Sequence, residues 1–257
     1  FIIGCNNQLE NNEPSGEYII FSGRDRVSSG FHLYISKIDD GYPKKITWNP
    51  YNNKNPIINP YSKNIFFESD RQGVQSIFYL ELEWTGGVID WIGDWIWESY
   101  PEGEEAKPIF PEQNWSRFHN ISHSGTYIAS MLYPTGQYDI VLFDKTGSYK
   151  KIITDQKYDD FYPQFSKDDL TIFYQKKLSN TNMEIFSNDL DGSYEFNLSR
   201  NKANDFISRN PSISFDNEKI VFTSDRTGYL DVFIMNLDGS NVRNLTGSKF
   251  DDLSPTF

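Results

Sequence analysis

The chain contains a single cysteine, Cys5, so no disulfide can form within it. Three histidines, His32, His119 and His123, are all it has, and without a cysteine partner they make no metal constellation. Basic residues are scarce: 24 Lys and Arg stand against 36 Asp and Glu, leaving a net charge of −12. That balance excludes nucleic acid as the expected partner, because phosphates select basic surfaces. No internal run approaches the 18 apolar residues that a membrane-spanning helix needs. Enzyme signatures are missing too. The sequence holds no Gly-x-Ser-x-Gly elbow, no glycine-rich phosphate loop and no His-Glu-x-x-His, and nothing in it asks for a cofactor. Aromatic residues are what it has in abundance, at 16% of 257 residues, enough for a large core without covalent staples.

The chain opens Phe1-Ile2-Ile3-Gly4-Cys5-Asn6, an apolar stretch with a small residue before the cysteine. Secretory signals finish in this way. Ile2-Ile3-Gly4-Cys5 also resembles the lipobox of bacterial lipoproteins, which implies acylation of Cys5 and anchorage in a membrane. The competing reading is an ordinary buried cysteine. The polar stretch Asn6 to Glu13 has the composition of a tether, so residues 1–13 are read as signal remnant and tether, and 14–257 as the folded domain.

An internal repeat organises that domain. Tyr18–Ser22, Ile65–Ser69, Ile128–Leu132, Ile172–Lys176 and Ile220–Ser224 are short apolar runs rich in β-formers. Each is followed by a polar loop and a second run, as in Ile77–Tyr79 or Val232–Ile234. Tight turns such as Asp191-Gly192 and Asp238-Gly239 then suit hairpins. A more polar strand ends in Ile46-Thr47, Ile153-Thr154, Leu198-Ser199 or Leu245-Thr246. A further strand precedes the unit, as in Tyr162–Ser166, Asn210–Ser214 and Ser254–Phe257. The isoleucines that mark the first runs (19, 65, 128, 172 and 220) fall 46, 63, 44 and 48 residues apart. Four strands in about 45 residues is the size of a propeller blade. The expected fold is therefore all-β, a propeller of four-stranded blades. Residues 17–48 supply three strands of the first blade, and Ser254–Phe257 would complete it and close a ring of five. The alternative is six blades with a truncated C-terminus.

Residues 220–239 read Ile-Val-Phe-Thr-Ser-Asp-Arg-Thr-Gly-Tyr-Leu-Asp-Val-Phe-Ile-Met-Asn-Leu-Asp-Gly, which resembles the WD40-like (PD40) repeat of the TolB family. Ser69-Asp70-Arg71-Gln72-Gly73 keeps the same element, and Ser22-Gly23-Arg24-Asp25 keeps a variant of it. The third and fourth units depart from it, with Tyr133-Pro134-Thr135-Gly136 and Lys176-Lys177-Leu178-Ser179. The family's Ser-Pro-Asp-Gly turn is degraded at His123-Ser124-Gly125, Lys167-Asp168-Asp169 and Phe215-Asp216-Asn217. The resemblance covers residues 13–257 and implies a propeller that binds partners in the cell envelope.

Candidate sites follow from repeat position. Asp25-Arg26, Asp70-Arg71 and Asp225-Arg226 lie in loops between the second and third strands, where they either ring a channel mouth or hold the loop. Asp159-Asp160 and Asp251-Asp252 precede innermost strands on the same face, so that rim should be acidic and attract a cation or a basic segment. The plainer reading is a solvated turn. The spacing of 63 marks an insertion near residues 85–104 that holds Trp91, Trp95, Trp97 and Tyr100. Such density suggests a sugar-stacking or protein-contact platform, against a long hairpin packed on its own blade. The expectation is a monomeric, lipid-anchored, periplasmic or surface-exposed module that binds an envelope protein or polymer. The alternative is a carbohydrate-active enzyme using Asp160 and Asp252 as its acid pair.

Overall fold

The computed structural model describes residues 18–24, 30–37, 43–48, 50–59, 64–80, 107–108, 116–133, 136–154, 157–200, 208–214, 216–247 and 249–256. It divides into two compact units, Phe1–Arg117 and Phe118–Phe257. All its regular structure is β, in five antiparallel sheets, and among the described residues no helix is long and apolar enough to cross a membrane.

The first unit carries two sheets. The first joins β1 (Tyr18–Gly23), β2 (His32–Lys37) and β3 (Lys44–Lys45); the second joins β4 (Lys54–Ile58), β5 (Ile65–Ser69), β6 (Ser76–Leu80) and β7 (Lys107–Pro108). The other three sheets run in sequence order: β8 (Ser116–Ile121) to β11 (Tyr149–Ile152) through β9 (Tyr127–Leu132) and β10 (Asp139–Asp144); β12 (Asp159–Phe165) to β15 (Phe196–Asn197) through β13 (Thr171–Lys177) and β14 (Met183–Asp189); and β16 (Ser208–Ile213) to β19 (Arg243–Asn244) through β17 (Lys219–Ser224) and β18 (Asp231–Asn236). The sequence anticipates each of these sheets, including three strands in the first. Residues 254–256 are the exception, because they join no strand.

Central strands are apolar at successive positions because both of their faces are covered. In β13, Ile172 and Tyr174 pack with Ala129, Met131, Ile140 and Leu142 of the third sheet. Phe173 points the other way, into a cluster with Ile220, Phe222 and Phe233 of the fifth. In the first unit, Ile20, Leu33 and Ile35 meet Ile65, Phe67 and Phe78 in the same manner. Each such side chain contributes about 1.5–3 kcal/mol by leaving water. The hairpin glycines are pinned by this stacking. Gly239 has φ +80°, and a Cβ there would lie 2.5 Å from the Leu198 carbonyl oxygen of the preceding sheet.

Two further devices repeat. In four of the five repeats the closing hydroxyl accepts an N–H near the start of the repeat's third strand: Leu33 to Thr47 (2.9 Å), Ile140 to Thr154 (3.1 Å), Ile185 to Ser199 (3.0 Å) and Val232 to Thr246 (3.1 Å). Three of these hydroxyls in turn donate to a buried carboxylate, Asp139, Glu184 or Asp231. The innermost strands bulge at their X-Pro step, where the register slips between Lys54 and Ile57, Phe161 and Gln164, and Arg209 and Ser212. One extra residue at this step kinks the strand, and proline costs no ladder bond there.

Candidate functional site

The two acidic pairs occupy equivalent places where one sheet hands over to the next. Asp159 Oδ1 accepts the Tyr138 N–H at 3.0 Å, and the Asp160 N–H donates to the Tyr138 carbonyl at 2.7 Å. Likewise Asp251 Oδ1 accepts the Leu230 N–H at 3.1 Å, and the Asp252 N–H reaches the Leu230 carbonyl at 2.6 Å. The first acid of each pair is thus a clip on the loop between the second and third strands of the preceding sheet. Asp160 is fully buried, while the Asp252 Oδ2 is buried with no hydrogen-bond partner. Asp159 and Asp251 thus hold a neighbouring loop, and the buried Asp160 does not sit in the solvated turn that is the sequence's plainer reading.

The Asp-Arg loops are structural in the same sense. Asp70 takes the Asn52 N–H at 2.8 Å and its side-chain amide at 2.7 Å. Arg71 donates to Ser69 Oγ (3.2 Å) and Asn53 Oδ1 (3.1 Å), with its guanidinium 5.4 Å from the Phe67 ring and 4.6 Å from that of Phe78. Arg226 repeats the arrangement, 3.1 Å from Ser224 Oγ and over the Phe222 and Phe233 rings at 5.3 and 4.9 Å. Burial lowers its guanidinium pKa, opposed by the negative charges of Glu184 and Asp225. The fourth sheet fills this slot differently. Lys176, a strand residue, puts its Nζ 5.9 and 5.2 Å from the Tyr174 and Phe186 rings, and pairs with Glu195 Oε1 at 2.5 Å. Its side chain is only 1% exposed, and the Tyr174 hydroxyl donates to the same carboxylate oxygen. Asp25-Arg26 lies outside the described residues.

An aromatic row crosses the junction of the third and fourth sheets. Tyr133, 44% exposed, lies 4.9 Å from Tyr138 between ring centroids; Tyr138 lies 5.7 Å from Phe161, and Phe161 lies 6.4 Å from Tyr162. Beside it the Lys157 ammonium sits 5.0 Å from the Tyr158 ring. Tyr162 has φ +56°, a conformation that costs an L-residue about 1–2 kcal/mol. Asn55 (+50°) and Ser254 (+55°) take the same backbone form ahead of their prolines, with smaller polar side chains. The sequence shows the aromatic residues but not this alignment, because a row made of a loop, a strand start and a bulge has no period. The positive φ at an X-Pro step was the signal available only from the fold.

His32 and His119 are buried, and His123 is exposed in a turn. Among the described residues, no group of three or more His, Cys, Asp or Glu side chains is placed to hold a metal ion. Cys5, Trp91, Trp95, Trp97 and Tyr100 lie outside the described residues.

Known proteins share this architecture. The chain aligns over 93% of its length with the structure of a putative TolB from Agrobacterium tumefaciens, at TM-score 0.64, 19% identity and 72% of that chain. With TolB from Acinetobacter baumannii the TM-score is 0.65 at 16% identity, over 93% of this chain and 54% of that one. An uncharacterized protein of Agrobacterium fabrum is 29% identical over 139 residues, 53% of this chain. The chain thus spans less than half of that relative, 45% of its length. The model of the TolB beta propeller domain family, PD40, matches residues 101–257, well over half of the chain, and the chain belongs to that family.

Proposed function

We propose that this propeller is a binding module of the bacterial cell envelope, tethered through acylated Cys5, which presents the loops between its second and third strands to an envelope protein or polymer. The contrast at that end of the sheets supports this reading. Asp159 and Asp251 clip backbone N–H groups and Asp160 is buried, while the rings of Tyr133 and Tyr229 stand 44% and 49% exposed. A hydrolase needs a pair of carboxylates open to its substrate; a binding face needs exposed rings on a rigid frame. The same reading makes the five sheets blades of one ring, with the C-terminal segment as the innermost strand of the first. The left-handed Ser254 before Pro255, as at Asn55 and Tyr162, supports that assignment. In-cell crosslinking and pull-down of the full-length lipidated protein tests the reading. The comparison variants are Tyr133→Ala/Tyr229→Ala and one lacking residues 85–104. Loss of a specific partner in the first, with folding intact, is the expected result. A partner lost only in the second moves the binding face to the insertion, and no partner in any arm overturns the reading.

A further inference from the structure

The two acid pairs share a clip but differ in their surroundings. Asp160 is fully buried and Phe161 packs against the core, whereas Asp251 is exposed, Asp252 is half-buried, and Phe250 before them is 79% exposed. The bonds of Asp251 and Asp252 to Leu230 hold this segment against the loop that carries Tyr229, itself 49% exposed. One corner of the fifth sheet thus joins open rings to carboxylates. An ionised carboxylate accepts up to about four hydrogen bonds, so the one N–H on Asp251 leaves room for a further donor. The Asp252 Oδ2 has no hydrogen-bond donor, and Asp225 adds a third negative charge in the same loop. The cations of the corner do not balance these. Arg226 is turned inward over the Phe222 and Phe233 rings, and Lys249 is exposed. The equivalent corner shows what such a place takes. Tyr158, the ring that precedes the first acid pair, has the Lys157 and Lys176 ammonium groups 5.0 and 5.7 Å away. A cation placed between a ring and a carboxylate gains from both.

We propose that the corner formed by Tyr229, Phe250, Asp251 and Asp252 binds a basic segment of a partner protein, whose Arg or Lys side chains lie on the rings and pair with the carboxylates. This rests on the binding-module reading and specifies the partner. Fluorescence anisotropy of a labelled, acetylated nonapeptide of three Arg-Leu-Ser units, titrated with the full chain, tests it beside the Gln-Leu-Ser peptide of equal length. The arginine peptide should bind and the glutamine peptide should not. Tyr229→Ala and the double variant Asp251→Asn/Asp252→Asn should each weaken binding about fivefold or more. Asparagine keeps an oxygen for the Leu230 N–H, so the double variant should melt with the parent. Asp191→Asn/Asp238→Asn removes the same charge from hairpin turns at the other end of the sheets and should leave affinity unchanged. No binding of the arginine peptide overturns the proposal, as does unchanged affinity in either corner variant. Equal weakening by the two double variants also overturns it, since net charge alone would then explain the binding. If the peptide fails while the crosslinked partner persists, the basic segment is wrong and the binding-module reading survives.

Discussion

The fourth and fifth sheets are the same repeat written in different residues. In the fifth, a loop arginine, Arg226, caps the stacked pair Phe222–Phe233; in the fourth, a strand lysine, Lys176, reaches the equivalent pair Tyr174–Phe186. Their turns differ as well. The left-handed corner that the family gives to glycine is Asp169 in one and Asn217 in the other, at φ +57° and +62°. Both residues tolerate that conformation, and both use their side chains to strap the turn of the preceding sheet. Asp169 accepts the N–H groups of His123 (2.6 Å) and Ser124 (2.7 Å), and Asn217 accepts that of Lys167 (3.0 Å). What the repeat preserves is a task at a place: a cation on an aromatic pair, and a left-handed corner. The residue that performs the task is free to change.

The largest effect should separate the two cation slots. In the fourth sheet, Glu195→Ala leaves the Lys176 ammonium buried without its anion, and a loss of about 3 kcal/mol in urea unfolding is expected. A loss below about 1 kcal/mol would mean that the rings of Tyr158, Tyr174 and Phe186 around it carry most of the stabilisation of the charge. In the fifth sheet, Arg226→Met keeps the apolar stem but removes the guanidinium from its two rings and from Ser224, for an expected loss of about 2 kcal/mol. Equal losses at the two sites would erase the distinction between a strand lysine and a loop arginine on the same aromatic pair.

Much of this architecture is legible in the sequence, and the limits are instructive. Apolar runs, Asp-Gly turns and Leu-Thr endings locate the sheets because each encodes a local contact. Lys176 reads from sequence as the loss of Ser-Asp-Arg, since its cation enters two positions early and from a strand. Asp159 reads as part of an acidic rim, because its bond to the Tyr138 N–H spans 21 residues and leaves no mark on local pattern. The C-terminal segment keeps a left-handed serine ahead of its proline, as Asn55 and Tyr162 do, although residues 254–256 belong to no strand.

The turn corners offer a finer test. Asp169→Gly restores the family residue and its easy backbone, but discards two straps to the neighbouring turn, so a net loss of about 1 kcal/mol is expected. Asn217→Gly discards only one strap and should be close to neutral, within about 0.5 kcal/mol. Matching losses would show that the straps are incidental and that the backbone alone decides the corner.

The smallest effect is one of acidity, and it sets the third sheet against the fourth and fifth. At Asp144, burial pushes the pKa up, but bonds from the Thr146 hydroxyl, Lys150 and the Ser148 and Thr146 N–H groups outweigh it and bring the value to about 2. Asp191 and Asp238 stand lowered chiefly by Ser193 and Ser240 respectively, in the equivalent turns of the next two sheets. A carboxylate whose folded pKa is depressed stabilises the fold above its unfolded value near 4, and that contribution disappears as pH falls towards the folded value. Stability should therefore be flat in this respect above about pH 5 and decline between roughly pH 4 and 2. Asp144→Asn should flatten part of that decline more than Asp238→Asn does, because Asp144 forms an ion pair with Lys150, 2.9 Å away, while the charge of Arg200 is the least of the causes at Asp238. Because the Lys150 side chain is 46% exposed, added salt should narrow the difference between the two variants. An acid profile unchanged by Asp144→Asn would place the decline elsewhere in the fold.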